Sequence, residues 1–183
     1  APWLQGSRSP FEDAQARGLF FNLGLDHQKA DLIRAVFEGV GHHLRWILEA
    51  MSKKIDLPKT LSLVGGGGNS TEWAQILADI TGHEIQIAQH PQHAGARGAA
   101  ILAAVALKHA PDLKTAAERV SPRKCFIPRA ELHQFYGAQY ELFKKMYRTN
   151  KKLFSETQLS LAMQTVPPET ESPRLPFTIS RSS

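Results

Sequence analysis

The stretch with the clearest chemical potential is LSLVGGGGNSTEWAQILADITG, residues 61–82. An apolar run, Leu61, Leu63 and Val64, stops at four consecutive glycines, Gly65, Gly66, Gly67 and Gly68, and a helical pattern follows at once. That order is strand, glycine turn, helix. Glycine lets the backbone pass close to a ligand and adopt positive φ. A helix N-terminus adds unpaired N–H groups and partial positive charge, which suit a phosphate or another anion. Asn69 or Ser70 is placed to cap the helix, and Asn69 with Glu72 has the capping-box spacing. No Gly-Lys-Ser/Thr follows, so this is not a P-loop; Thr71 stands where the dinucleotide fingerprint needs its third glycine. A tight connector without a ligand fits the same pattern.

Other reactive side chains are less organised. His42 and His43 are adjacent and point different ways on a helix, which is not a zinc-ligand spacing. His90 and His93 flank a loop with no partner Ser, Cys or acidic pair for catalysis. Gly95-x-x-Gly98, set among Ala94, Ala96, Ala99 and Ala100, permits close backbone approach either to a ligand or to a neighbouring strand. The single cysteine, Cys125, excludes an internal disulfide, fits a reducing compartment and is expected in the core.

Residues 1–24 are punctuated by Pro and Gly, with Leu19, Phe20, Phe21 and Leu23 expected to anchor them to a core. Asp26 is the expected N-cap of a long helix ending near Met51 or Ser52. Gly39 and Gly41 inside it cost about 1 kcal/mol each relative to Ala, which points to close packing there. Trp73, Ile76, Leu77 and Ile80 form an amphipathic face, with Gly82 as the stop signal and Trp73 in the core. EIQIA, residues 84–88, alternates as a second strand, parallel to the first because a helix joins them. Helices are expected from the Gly95 region to about His109, over 111–120 and over 129–154, with 125–128 extended between the last two. Residues 155–183, rich in Pro, Ser and Thr without periodicity, read as a flexible tail.

At 183 residues, 42% hydrophobic and 21% charged, the chain has the composition of one soluble globular domain. No apolar stretch approaches the roughly 18 residues that span a bilayer, and there is no signal peptide, so no membrane partner is expected. The net charge of +5 gathers at Lys144, Lys145, Arg148, Lys151 and Lys152, near the expected end of a helix. Cations there complement the helix dipole; with no binding motif beside them, a solvated face is expected rather than nucleic acid. The opening residues, without an initiator Met, suggest a fragment or processed piece.

In order, these motifs resemble the C-terminal domain of the FGGY carbohydrate kinases, nearest the xylulokinase branch. The matching residues are Pro2-Trp3-Leu4-x-Gly6-x-Arg8-x-Pro10, Ala16-Arg17-Gly18-x-Phe20, Leu23-x-Leu25-x-His27 and Arg34-Ala35-x-x-Glu38-Gly39-Val40. The most specific is Gly65-Gly66-Gly67-x-x-Ser70-x-x-Trp73-x-Gln75-Ile76-x-Ala78-Asp79-x-x-Gly82, and Gly95-Ala96-x-Gly98-Ala99-Ala100 closes the set. The resemblance covers about residues 2–154, and departs where Ser7 replaces Glu and where Gly68 and Asn69 replace a small residue and Arg.

It implies an α/β fold, part of an actin-like, ribonuclease H-like ATPase domain with parallel strands and flanking helices. Residues 1–154 would be the nucleotide-side domain, incomplete at its N-terminus. The main-chain amides of Gly65 and Gly66 would face ATP phosphates and ribose, with Gly67 in the same turn; Ser70 and Asn69 would lie near the adenosine, and 95–98 would shape the neighbouring wall. The family transfers the ATP γ-phosphoryl group to a sugar hydroxyl with Mg²⁺, here most simply that of xylulose or a related pentulose, in the cytoplasm. Its catalytic Asp, first phosphate loop and most sugar contacts belong to an N-terminal domain not among these residues, so this chain alone should be inactive. The alternative is a non-catalytic nucleotide-sensing or dimerisation module of the same fold, a homodimer through the 129–154 helix.

Overall fold

The computed structural model describes residues 1–118 and 122–164. Its elements are α1 (Lys29–Ser52), β1 (Thr60–Leu63), α2 (Thr71–Thr81), β2 (Glu84–Ala88), α3 (Ala94–Ala106), α4 (Leu113–Glu118), β3 (Pro122–Phe126) and α5 (Ala130–Gln164). Short 3-10 turns, Gly66–Asn69 and Pro91–His93, precede α2 and α3. The sheet order is β1-β2-β3. β1 and β2 run parallel, with Leu61 opposite Ile85 and Leu63 opposite Ile87; β3 joins β2 antiparallel, with Phe126 opposite Ile85. The expected α/β architecture with parallel strands and flanking helices is present, extended by one antiparallel strand.

Alternation drives the sheet's inner face: Ile85 and Ile87 are buried while their neighbours on β2 are half-exposed. They meet Ala74, Leu77 and Ala78 of α2 and Phe126 of β3, with Leu44, Leu61, Leu63 and Trp73 closing the cluster. Gly41 lets α1 approach α2, because a Cβ there would lie 2.7 Å from Ile80 Cδ1. Gly82 ends α2 in the left-handed region (φ 74°), its N–H donating to the Ala78 carbonyl.

A second cluster centres on Trp3, 2% exposed, with Ala16, Phe143 and Tyr147. Phe11 stacks on Tyr147 at 3.9 Å between centroids, and Trp3 Nε1 donates to His43 Nδ1 at 3.2 Å. Trp3 is therefore the N-terminal anchor. Phe20, Phe21 and Leu23, expected in that role, are exposed along a cavity of about 330 Å³ between residues 19–23, α1 and α5.

α5 docks through tyrosines that donate to carboxylates on other segments. Tyr136 donates to Glu38 at 2.7 Å, Tyr140 to Glu49, and Tyr147 to Asp13 at 2.8 Å. Burial and then the facing carboxylate push all three phenols above their ordinary range. Lys144, expected on a solvated face at a helix end, is instead buried: its ammonium lies over the Tyr140 ring and pairs with Glu49 and Glu141. The helix also runs ten residues past its expected end at 154, so Lys144 to Lys152 lie mid-helix, where the dipole argument does not apply. The rest of the expected tail, 165–183, lies outside the described residues, as do 119–121 of the expected 111–120 helix.

Three further expectations change. α1 starts after Gln28, whose N–H donates to Asp31 Oδ2 at 2.9 Å, not at Asp26. Ser70 alone caps α2, Oγ accepting from Trp73 N at 3.1 Å, so the Asn69–Glu72 capping box is not formed. Cys125 is exposed, because Phe126 and not Cys125 occupies the inward position on β3. Among the described residues, no helix is long and apolar enough to cross a membrane.

Candidate functional site

The glycine turn follows β1 after Val64. Gly65 has φ 81°, a left-handed conformation that side chains resist. Its N–H donates to the Pro91 carbonyl at 2.8 Å, which ties the turn to the loop after β2. The next turn tightens as a 3-10 helix, Gly68 N–H donating to Gly65 O at 3.1 Å. As the first residues of that helix, Gly66 and Gly67 have main-chain N–H groups without a carbonyl partner in it.

The four glycines differ in what surrounds them. A Cβ on Gly65 or Gly66 would meet nothing within 4 Å, so this stretch of backbone faces open space. A Cβ on Gly67 would sit 2.2 Å from the Trp73 ring, and one on Gly68 would sit 2.6 Å from Pro91 Cβ. Gly67 and Gly68 are thus glycines for packing, and Gly65 and Gly66 keep a main-chain surface bare. Trp73 packs inward as expected, stacked on Phe37 at 5.6 Å, with its Nε1 buried and unpaired among the described residues.

Among the residues expected to bind, Gly66 presents both a free N–H and open space. Gly65 contributes open space but spends its N–H on Pro91. Ser70 is half-buried and its hydroxyl is engaged: it accepts from Trp73 N and donates to Glu72 Oε2 at 3.2 Å. Asn69 is exposed at the lip of a cavity of about 400 Å³ lined by Gln89, His90, Pro91 and Gln92. Gly95 and Gly98 have open space beside them, so close packing on a strand is not what requires glycine there.

Pro91 was not legible as part of this corner. Its carbonyl receives Gly65 and its ring fills the space over Gly68. The signal was a proline in the loop directly after a parallel strand, at the same level as the glycine turn. The residue before it, His90, is left-handed (φ 48°, ψ 61°).

The base of α2 is held by Asp79, 1% exposed. Its Oδ1 accepts from Arg129 N at 2.8 Å and Gln75 Nε2 at 3.0 Å, and its Oδ2 from Arg129 Nε at 3.1 Å. This carboxylate fixes the start of α5 on α2 and is far from solvent, so its part is to hold the frame. Among the described residues no group of three His, Cys, Asp or Glu is placed to hold a metal ion.

Comparison with known proteins gives the chain's relatives. Residues 1–107 match the FGGY family of carbohydrate kinases, C-terminal domain. A xylulose kinase of Staphylococcus epidermidis is 33% identical over 156 residues, covering 85% of this chain and 31% of that protein. A xylulose kinase of Escherichia coli is 33% identical over 147 residues, covering 80% and 30%. Among solved structures, a ligand-bound xylulose kinase from Lactobacillus acidophilus superposes with a TM-score of 0.76 at 28% identity, over 85% of this chain and 32% of that one. A gluconate kinase from the same organism gives 0.75 at 28%, with the same coverage. The chain spans about a third of the length of these relatives.

Proposed function

This chain belongs to the FGGY family of carbohydrate kinases, and on that footing we propose that it is the nucleotide-side part of a cytoplasmic kinase that moves the ATP γ-phosphoryl group to a sugar hydroxyl. The observation that carries the reading is the bare main chain at Gly65 and Gly66, with the Gly66 and Gly67 N–H groups unpaired beside it. Phosphoryl transfer asks a protein for positioning and charge stabilisation more than for covalent chemistry. Backbone N–H groups supply both without a side chain that must be desolvated.

In this reading Gly66 and Gly67 donate to phosphate oxygens, Gly65 supplies the turn and the clearance, and Asn69 lies toward the nucleoside. Ser70 acts by capping α2 and so holding the turn in place. Mg²⁺ would neutralise phosphate charge when bound. The acceptor base and the sugar contacts belong to other parts of the whole protein, and this chain alone is expected to be inactive. Xylulose or a related pentulose is the proposed acceptor class, supported by the names of the relatives at 33% identity.

The test is Gly66→Val in the full-length protein. The Michaelis constant for ATP should rise at least about tenfold, a loss of about 1.4 kcal/mol of binding, while that for the sugar stays near its starting value. An unchanged constant for ATP would overturn the assignment. The second reading, a non-catalytic dimerisation module, is less favoured because α5 spends Tyr136, Tyr140, Phe143 and Tyr147 on its own core. Light scattering on the chain with and without ATP separates the two: dimers with no response to nucleotide would support the module.

A further inference from the structure

We infer that the cavity between residues 19–23, α1 and α5 is a binding site for a small organic ammonium ion with an apolar body, separate from the glycine turn and independent of the nucleotide reading. Its volume is about 330 Å³. At about 30 Å³ for each water-sized group, that is room for roughly ten heavy atoms: one ring and a short chain carrying a head group.

The lining sets the charge of that head. Asp31 and Glu38 border the cavity from α1, and no Lys or Arg side chain does so. Glu38 is half-buried; Arg34 and Tyr136 both donate to its Oε1, and its Oε2 has no partner among the described residues. The Ala1 nitrogen, also at the edge, is spent on the Leu19 carbonyl. An anion therefore meets carboxylate charge here, and a cation meets attraction. Phe20, Phe21, Phe135 and Phe143 supply apolar wall. The first three are each more than half exposed, so a ligand body covers apolar surface that water now meets. Aromatic faces also carry partial negative charge, which draws an ammonium more strongly than a neutral head.

The floor holds a second, independent signal. His42 borders the cavity and is 6% exposed, yet neither ring nitrogen has a hydrogen-bond partner among the described residues. Nδ1 is sealed off, which leaves Nε2 as the nitrogen that a ligand can reach. Burial, reinforced by Arg45, lowers the pKa of the ring to about 4, so it is neutral at pH 7. With its proton on Nδ1, the ring offers Nε2 as an acceptor. A buried polar group without a partner is costly. An ammonium has N–H groups enough for both His42 Nε2 and Glu38 Oε2.

Three probes that share one ring and differ in the head test this: phenethylammonium, 2-phenylethanol and phenylacetate. NMR titration of the 183-residue chain follows the Gly39 amide and the His42 ring, both in the cavity floor. The expected result is saturable shifts of both signals with phenethylammonium, about tenfold tighter than with the alcohol, and weakest binding with the carboxylate. Glu38→Gln should bring ammonium and alcohol toward equal affinity. Asp31→Asn, at an exposed position, should move the ratio the same way and stands in should the Glu38 variant not fold. Phe21→Ala, where the side chain is 68% exposed, should weaken all three probes alike. Equal affinity for the three heads, or a preference for phenylacetate, would overturn the proposal. A preference for ammonium that survives both carboxylate variants would overturn it too, as would shifts that leave Gly39 and His42 still.

Discussion

α2 and α3 are built on the same local plan and end in opposite environments. Each follows a parallel strand and a short 3-10 turn. α3, AGARGAAILAAVA, is the more uniformly apolar, yet it has no buried residue. α2 buries Ala74, Leu77, Ala78, Asp79, Ile80 and Thr81, one of them a carboxylate. The difference lies in the neighbours. α1, α5 and β2 all pack on α2, whereas α3 meets α4 and the 91–93 turn. Hydrophobic content therefore does not rank the two helices; the number of surfaces brought against each one does.

The sharpest way to break the comparison is a matched pair of truncations. Leu77→Ala removes a side chain that is 2% exposed and should cost about 2–5 kcal/mol in urea unfolding. Leu102→Ala on α3, where the side chain is 60% exposed, should stay within about 0.5 kcal/mol. Equal costs would mean that α3 is covered as α2 is.

A pH series probes the same packed body from α1. His42 is 6% exposed among Tyr136, Tyr140 and Phe143, and its Nδ1 has no partner among the described residues. Burial, reinforced by Arg45, lowers its pKa from 6.5 to about 4. The unfolded chain thus takes up a proton below pH 6.5 that the folded chain refuses until about pH 4. Stability is complete above that window and declines as pH falls through it, by about 2 kcal/mol at pH 5. His43, lowered by burial as well, adds in the same direction. Unfolding of His42→Phe should show a shallower slope from pH 7 to 5; an unchanged slope would remove His42 from the account.

Glycine substitutions give smaller effects of opposite sign. Gly41→Val drives a side chain into Ile80 and should cost about 1–3 kcal/mol. Gly98→Ala has open space and should raise stability by about 0.4–1 kcal/mol through helix propensity and a less flexible unfolded chain. A thermal melt of each variant reads the sign directly. A loss at Gly98 would reveal a close neighbour of α3.

Much of the fold was legible because it is local. The alternation of EIQIA marked β2, Gly82 marked the end of α2, and the helix between two apolar runs required parallel strands. Gly41 was legible as a close approach, since a costly glycine in a helix interior needs a reason. The errors about burial share one cause: each concerned which of several similar residues is covered. Phe20 and Phe21 read as anchors and are exposed, whereas Trp3 anchors the segment. Cys125 read as core and is exposed. Lys144 read as solvated and is buried against Tyr140 and Glu49. Pattern reports the period of burial, but only packing from distant segments selects the partner.

The candidate site divides the same way. Four glycines in a row after an apolar strand already require an unusual backbone, because no other residue passes through Gly65's φ so cheaply. Which of the four stay bare depends on residues far along the chain: Trp73 claims Gly67 and Pro91 claims Gly68, so the open surface contracts to Gly65 and Gly66. Composition and spacing therefore determined that there is a glycine turn between strand and helix. The tertiary contacts decided where its free amides lie, because a hydrogen bond or a filled volume is a property of two segments at once.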